Sequence, residues 1–342
     1  MRSVKKLLVA TFTAGLASTV AAAVVLASAI PEAAPKAKPA HQPATATQQQ
    51  DAQQGPVIRS QVNLVNLFVT VRDKNKRIVT DLKQTDFKIQ EDGQDQQIAF
   101  FSKEVTLPIT LALLLDTSGS EQFMLGAIQD MGGRFLDRVL RKGDEALVMS
   151  FDTDVDLLAD FTDDRGLLDR AIRKTRINAP MGGGMINPGP VGGNTVGTAF
   201  YDAVFLACNE KLNSEAGRKA IVVVTDAQDE GSKIRKEEAI EAAQRTDTVI
   251  HILLVADSRF GGNSGVAKQI TEETGGRMIV ANSEKHLAEA FDQISEELRS
   301  QYTLGYYPTN TARDGKFRKI KVDMGNHDLH VLARKGYYAP KG

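Results

Sequence analysis

The sequence predicts an α/β fold: a doubly wound, mostly parallel six-stranded sheet inserted into a small β-sandwich-like domain. Three observations predict it. From residue 107 to residue 300, apolar β-branched runs alternate with amphipathic helical segments, the pattern of a parallel sheet flanked by helices. Two of the runs, Leu111-Ala-Leu-Leu-Leu115 and Ile221-Val-Val-Val224, lead into Asp116 and into Thr225-Asp226. The flanks, 57–106 and 301–342, alternate apolar and polar residues with the period of half-buried strands.

Taken in order, strands are expected at 109–116, 145–151, 155–160, 220–226, 248–255 and 277–281. Helices are expected at 121–141, 163–176, 198–214, 235–246, 263–274 and 284–301. Phe151-Asp-Thr-Asp154-Val155 leaves room only for a tight turn, which makes the 155–160 strand antiparallel at the sheet edge. In the first flank Val62–Val71 and Phe87–Gln90 read as strands, with Asp92-Gly93 as a turn. In the second, Tyr302–Tyr307, Phe317–Asp323 and His330–Ala333 alternate in the same way. Neither flank alone has enough strands for a stable sheet, so the two are expected to pair with each other across the inserted domain.

The chemistry sits beyond the strand ends. In open α/β sheets ligands bind outside the carboxyl ends of the strands. Asp116, Ser118 and Ser120 in Asp116-Thr-Ser-Gly-Ser120 offer only hard oxygen atoms, which suit Mg²⁺, Mn²⁺ or Ca²⁺. Downstream, Gly197-Thr198 and Thr225-Asp226 supply another hydroxyl and another carboxylate. The plainer alternative is that these Ser, Asp and Thr residues only cap helices.

In spacing, order and apolar context, Asp116, Ser118, Ser120, Thr198 and Asp226 resemble the metal-ion-dependent adhesion site of von Willebrand factor A (vWA) domains, with their Rossmann-like sheet. The resemblance covers residues 107–300 and all five motif positions. The whole layout, with its closing Tyr302-Thr-Leu-Gly-Tyr-Tyr307-Pro and Arg334-Lys-Gly-Tyr-Tyr338-Ala-Pro, is similar to the vWA-related family of exported bacterial proteins. The resemblance implies a divalent cation, Mg²⁺ before Mn²⁺ or Ca²⁺, held by the two Ser hydroxyls. Asp116 and Asp226 would hold it directly or through water, and Thr198 would join or leave. It also implies a protein partner that offers an Asp or Glu carboxylate to the metal. Ala227 stands where many of these domains have Gly; Ala suits negative φ, so a small shift of that turn is expected.

Other features bound the reading. Met1–Lys6 is basic, Leu7–Ala29 is apolar and rich in small residues, and Ala27-Ser-Ala29 fits a cleavage site, so 1–29 reads as a signal peptide and the chain as periplasmic or extracellular. An uncleaved membrane anchor is the alternative, because the apolar run is long enough to span. Residues 30–56 are rich in Pro, Ala and Gln and read as a disordered linker. With 42 basic and 43 acidic residues, net charge gives no reason to expect nucleic acid. The single cysteine, Cys208, excludes an internal disulfide and reads as a buried apolar side chain.

Asp152-x-Asp-x-Asp156 starts like a calcium loop, but Leu157 stands where that loop needs Gly, and a polar hairpin is preferred. The glycine-rich 181–197 lacks the Lys of a phosphate-binding loop and is expected to border the metal. His327 and His330 read as solvated turn residues, His251 as a hydrogen-bonded core or strand-end residue, and Tyr306, Tyr307, Tyr337 and Tyr338 as packing for the small β domain.

The function expected from all this is a non-enzymatic, cation-dependent binding module. A structural envelope protein whose metal serves stability is one alternative. A phosphoryl-processing enzyme is another, although it needs a second acid two residues after the nucleophile, where Ser118 stands.

Overall fold

The computed structural model describes residues 64–103, 107–177, 197–255 and 262–342. The segments read as signal peptide and linker, and the glycine-rich segment up to residue 196, lie outside the described residues. The first flank forms β1 (Val65–Asp73), β2 (Phe87–Glu91), β3 (Gln94–Gln96) and β4 (Ile98–Ser102). The α/β body follows as β5 (Ile109–Asp116), α1 (Leu125–Val139), β6 (Glu145–Phe151), β7 (Val155–Thr162), α2 (Arg165–Lys174) and α3 (Phe200–Leu206). It continues with β8 (Arg218–Thr225), α4 (Lys236–Arg245), β9 (Thr248–Leu254), α5 (Ser264–Thr274), β10 (Met278–Val280) and α6 (Glu284–Arg299). The second flank supplies β11 (Tyr302–Tyr306), β12 (Phe317–Met324), β13 (Leu329–Leu332) and β14 (Gly336–Tyr338).

The central sheet has the order β10-β9-β8-β5-β6-β7. All its neighbours run parallel except β6 and β7, whose pairing is antiparallel. Every residue of β5 is buried, because helices cover both faces of a parallel sheet. Leu111, Leu113 and Leu115 pack with α1, α2 and α6 on one face; Ala112 and Leu114 pack with α3, α4 and α5 on the other. Side-chain caps fix three helix starts: Asp164 accepts from Leu167 N at 3.0 Å, Asn263 from Val266 N at 3.2 Å and Ser283 from His286 N at 3.2 Å. At the end of α5, Gly275 takes φ +84° and Gly276 lies so close to β9 that a Cβ there would meet the Ile250 carbonyl oxygen at 2.0 Å.

Two helix starts differ from the sequence expectation. The chain after Ser118 makes a 3₁₀ turn over Gly119–Phe123, and α1 begins only at Leu125. The expected 198–214 helix begins at Phe200 and passes into a π-helical turn, Ala207–Lys211, and a 3₁₀ turn, Leu212–Ser214. In both places the loop beyond the sheet holds residues that helical periodicity assigned to a first turn.

The flanks form two four-stranded sheets, β13-β1-β11-β4 and β14-β12-β2-β3, around one apolar core that includes Leu67, Val69, Ile89, Tyr302, Leu304 and Ile320. Each sheet mixes strands from both ends of the chain: β1 pairs with β11 and β13, β4 with β11, and β2 with β12. Buried Glu91 accepts hydrogen bonds from the Tyr306 hydroxyl at 2.7 Å and the Tyr337 hydroxyl at 3.0 Å. Tyr302 bridges Val79 and Leu82. Tyr307 is the exception among the tyrosines and is exposed.

This sandwich meets the α/β body chiefly at the amino ends of its strands. Arg218, the first residue of β8, lies 5.6 Å from the Phe68 ring centroid and donates to Leu298 O and the Gln301 side chain. Arg334 pairs with Asp247, and Lys335 N donates to Glu273 O at 3.1 Å. The most buried tie is ionic: Arg72 on β1 meets Glu297 on α6 at 2.6 Å, and Arg277 meets the same carboxylate at 3.0 Å. His251 is fully enclosed beside Glu297, but neither ring nitrogen has a hydrogen-bond partner among the described residues, contrary to the expectation of a hydrogen-bonded histidine; burial pushes its pKa down to about 3, so it is neutral.

Two tests follow from this arrangement. A 57–106 fragment is expected to be unfolded by far-ultraviolet circular dichroism, because the partners of β1, β2 and β4 come largely from the second flank. Glu297→Ala is expected to lower the unfolding free energy in urea by about 3–5 kcal/mol, since it leaves two guanidinium groups without their carboxylate in a buried space.

Candidate metal centre

The sheet order reverses direction between β5 and β8: the chain winds one way from β5 through β6 to β7 and the other way from β8 through β9 to β10. At such a switch point the helices on either side diverge and leave a crevice beyond the strand ends. Asp116 is the last residue of β5, and Asp226 follows the last residue of β8, in neighbouring register. Carboxylate oxygens of Asp116, Asp226 and Glu121 lie within 4.8 Å of one another, and all three side chains are buried.

Local hydrogen bonds fix the geometry. The Asp116 carboxylate accepts from Ser118 N at 2.9 Å and from the Thr225 hydroxyl at 2.6 Å. The same Thr225 oxygen accepts from Ala227 N at 3.0 Å, so one hydroxyl links the two strand ends. The Ser118 and Ser120 hydroxyls are 3.0 Å apart. Asp226 accepts from Gln228 N at 2.9 Å and from the Gln228 side chain at 3.2 Å. Thr198 is buried on the adjoining loop, where its carbonyl accepts from Glu230 N at 3.2 Å and the next residue, Ala199, donates to Asp152 O at 2.5 Å.

The structure thus brings Asp116 and Asp226 together and pairs Ser118 with Ser120. It sets Thr198 between the loops that follow β6 and β8. The capping alternative does not account for the hydroxyls: Ser118 precedes the 3₁₀ turn without a side-chain cap, and the N-cap of α3 is Ala199 rather than Thr198.

Sequence reasoning missed two participants. Thr225 has no place in the five-residue motif, yet its hydroxyl orients Asp116. Glu121 was assigned to the first turn of a helix, where an acid faces solvent and the helix dipole. The 3₁₀ turn instead buries it, and its Oε2 has no hydrogen-bond partner. Its place directly after Ser120 was the only signal available.

The expectation for Ala227 is also corrected. The turn is not shifted to suit Ala; Ala227 takes φ +58° in the left-handed region while its methyl is buried in the core. Such strain, about 1–2 kcal/mol for a residue with a Cβ, is found where the surroundings over-determine the backbone. Here the Thr225 hydroxyl and the packed methyl hold it.

The electrostatics are uncompensated. Burial pushes the Asp116 carboxyl up to about 7, against the hydrogen bonds from Ser118 and Thr225 that hold it down. Burial, and then the nearby charges of Asp116 and Asp226, push the Glu121 carboxyl well above the usual range. Among the described residues no Lys or Arg pairs with any of the three. An all-oxygen donor set, an orphaned buried carboxylate oxygen and the lack of a cationic side chain beside them among the described residues fit a hard divalent cation.

The neighbouring acidic residues have structural work. Asp229 accepts from Tyr201 N at 3.1 Å and from the Ser232 hydroxyl, and Asp202 accepts from Lys233 N and Ile234 N, which ties the loop after β8 to α3. Asp152 closes the β6–β7 turn by accepting from Asp154 N at 3.1 Å, as a polar hairpin requires. Cys208 is fully buried and its thiol is pushed up to about 12 by that burial.

Residues 111–228 match the sequence model of the von Willebrand factor type A domain. No curated protein matches the chain significantly. Among solved structures, the chain is similar to the conserved hypothetical protein BatB from Bacteroides thetaiotaomicron, with 19% identity, 56% of this chain and 100% of that one covered, and a TM-score of 0.41. It is similar to a von Willebrand factor type A protein from Catenulispora acidiphila, with 10% identity, coverages of 83% and 75%, and a TM-score of 0.47. Proximal thread matrix protein 1 from the mussel byssus, with a zinc-occupied MIDAS motif, is 17% identical, with coverages of 60% and 48% and a TM-score of 0.45. The sequence match, together with the sheet order, identifies the α/β body over residues 111–228 as a von Willebrand factor type A domain.

Proposed function

We propose that this protein is an exported, cation-dependent binding module that captures an acidic side chain of a protein partner. Asp116, Ser118, Ser120, Thr198 and Asp226 are the residues proposed to hold the metal, with Mg²⁺ preferred and Mn²⁺ or Ca²⁺ also suited to all-oxygen ligands. The observation that carries the reading is the convergence of buried carboxylates at the switch point between β5 and β8, with two hydroxyls beside them that cap no helix. A bound cation there supplies an electrophile for one more oxygen, and an Asp or Glu carboxylate is the strongest such donor a protein surface offers. Export rests on the basic and apolar N-terminal sequence. No helix among the described residues is long and apolar enough to cross a membrane.

The non-enzymatic reading is supported by the residues around the site. The position that a phosphoryl-transfer enzyme needs for its acid is Ser118, and Asp229 is engaged in bracing a loop. One observation favours a second reading, in which the metal only stabilises the fold: Asp116, Glu121 and Asp226 are almost fully enclosed.

Calorimetric titration separates these readings. Mg²⁺ or Mn²⁺ is expected to bind the full chain and to raise its melting temperature, because a cation relieves repulsion among buried carboxylates. Asp116→Ala is expected to abolish binding while leaving the circular dichroism spectrum unchanged. Unchanged binding by that variant defeats the site assignment. Ser118→Ala with Ser120→Ala is expected to weaken capture of an immobilised Asp-containing peptide as much as chelator does. A metal that raises the melting temperature without any peptide capture supports the structural reading instead.

A further inference from the structure

We propose that Glu121 is a further ligand of this site and stands where a partner's carboxylate would bind, so that the protein as folded is self-ligated and an acidic partner must displace it. The proposal rests on the metal reading above and adds a residue outside the five-position motif. Three observations carry it. Carboxylate oxygens from Asp116, Glu121 and Asp226 lie within 4.8 Å of one another, a spread that fits around one hard cation with metal–oxygen distances of about 2.1–2.5 Å. Glu121 is 1% exposed, and its Oε2 has no hydrogen-bond partner although it sits in this polar cluster. The backbone holds it there: Glu121 N donates to Ser118 O at 3.1 Å, and its own carbonyl accepts from Met124 N at 2.9 Å, so the 3₁₀ turn presents the side chain beside the two serines.

The charge balance gives the consequence. Two carboxylates and a divalent cation are neutral together, so a partner's carboxylate can fill an open coordination position without meeting net negative charge. Three carboxylates leave the site with net negative charge, which repels an incoming acid. Glu121 therefore raises metal retention and lowers partner affinity while it stays in place. Displacement of one side chain exchanges an internal carboxylate for an external one at the same ion.

The test uses the full chain with Mn²⁺ as probe and acetate as the simplest carboxylate. Calorimetry gives the Mn²⁺ affinity, and water-proton relaxation reports the waters on the bound ion. Glu121→Ala is expected to bind Mn²⁺ at least tenfold more weakly than the native protein, to gain inner-sphere water, and to lose that water again on addition of acetate; the native protein is expected to show little response to acetate. Asp116→Ala serves as the control that loses the metal. If it does so while Glu121→Ala matches the native protein in affinity and relaxation, Glu121 is not a ligand and the five-residue site stands. If the native chain binds no Mn²⁺, both readings fall. Should Glu121→Ala not fold, Glu121→Gln keeps the shape and removes the charge: weakened Mn²⁺ binding supports the proposal, and unchanged binding overturns it.

Discussion

The adjacency of β5 and β8, two parallel strands from which the chain winds away in opposite directions, sets where this molecule can do chemistry. Parallel pairing in register brings Asp116 and the Thr225-Asp226 step to the same edge of the sheet, although more than a hundred residues separate them in sequence. Thr225 then turns proximity into geometry by donating to Asp116 and accepting from Ala227. The strained backbone at Ala227 is a local cost of that arrangement, held in place by the surrounding core.

The two ends of the sheet treat buried charge in opposite ways. Toward the sandwich, buried acids have cationic partners: Glu297 lies against Arg72 and Arg277, and Asp144 against Arg299. At the carboxyl ends of the strands, Asp116, Glu121 and Asp226 crowd together with hydroxyls and amides for company. Desolvated like charges are costly unless something neutralises them. The paired end therefore reads as structure, joining the sandwich to the α/β body, and the unpaired end as a place built for a cation.

Much of this was visible in the sequence for a definite reason. A strand buried on both faces must be apolar throughout, so β5, β6, β8 and β9 announce themselves as runs, and β5 begins and ends at the residues that its run marks. Asp116, Ser118 and Ser120 stood out as candidates because one short loop sets their spacing, and Asp226 because it ends a second apolar run. The shortest strands of the flanks were not: β3 is Gln94-Asp95-Gln96, with no apolar alternation to read, and β14 is only Gly-Tyr-Tyr. Helical periodicity also misplaced Glu121, because a 3₁₀ turn and the first turn of an α-helix share the same residue types and differ in where they point a side chain.

The sequence by itself determined the alternation of strand and helix, the opposite-facing layers of the sheet, and the hard-oxygen character of the loops, since these depend on burial and on short-range spacing. Only the tertiary structure decided that Glu121 turns inward to join Asp116 and Asp226, that Thr225 links two strand ends, and that Arg72, Arg277 and Glu297 share one buried ionic contact. Each of these depends on distances between residues far apart in the chain, or on the direction of one side chain. No local pattern carries that information, because it is fixed only when the strands pair and the space between them is filled.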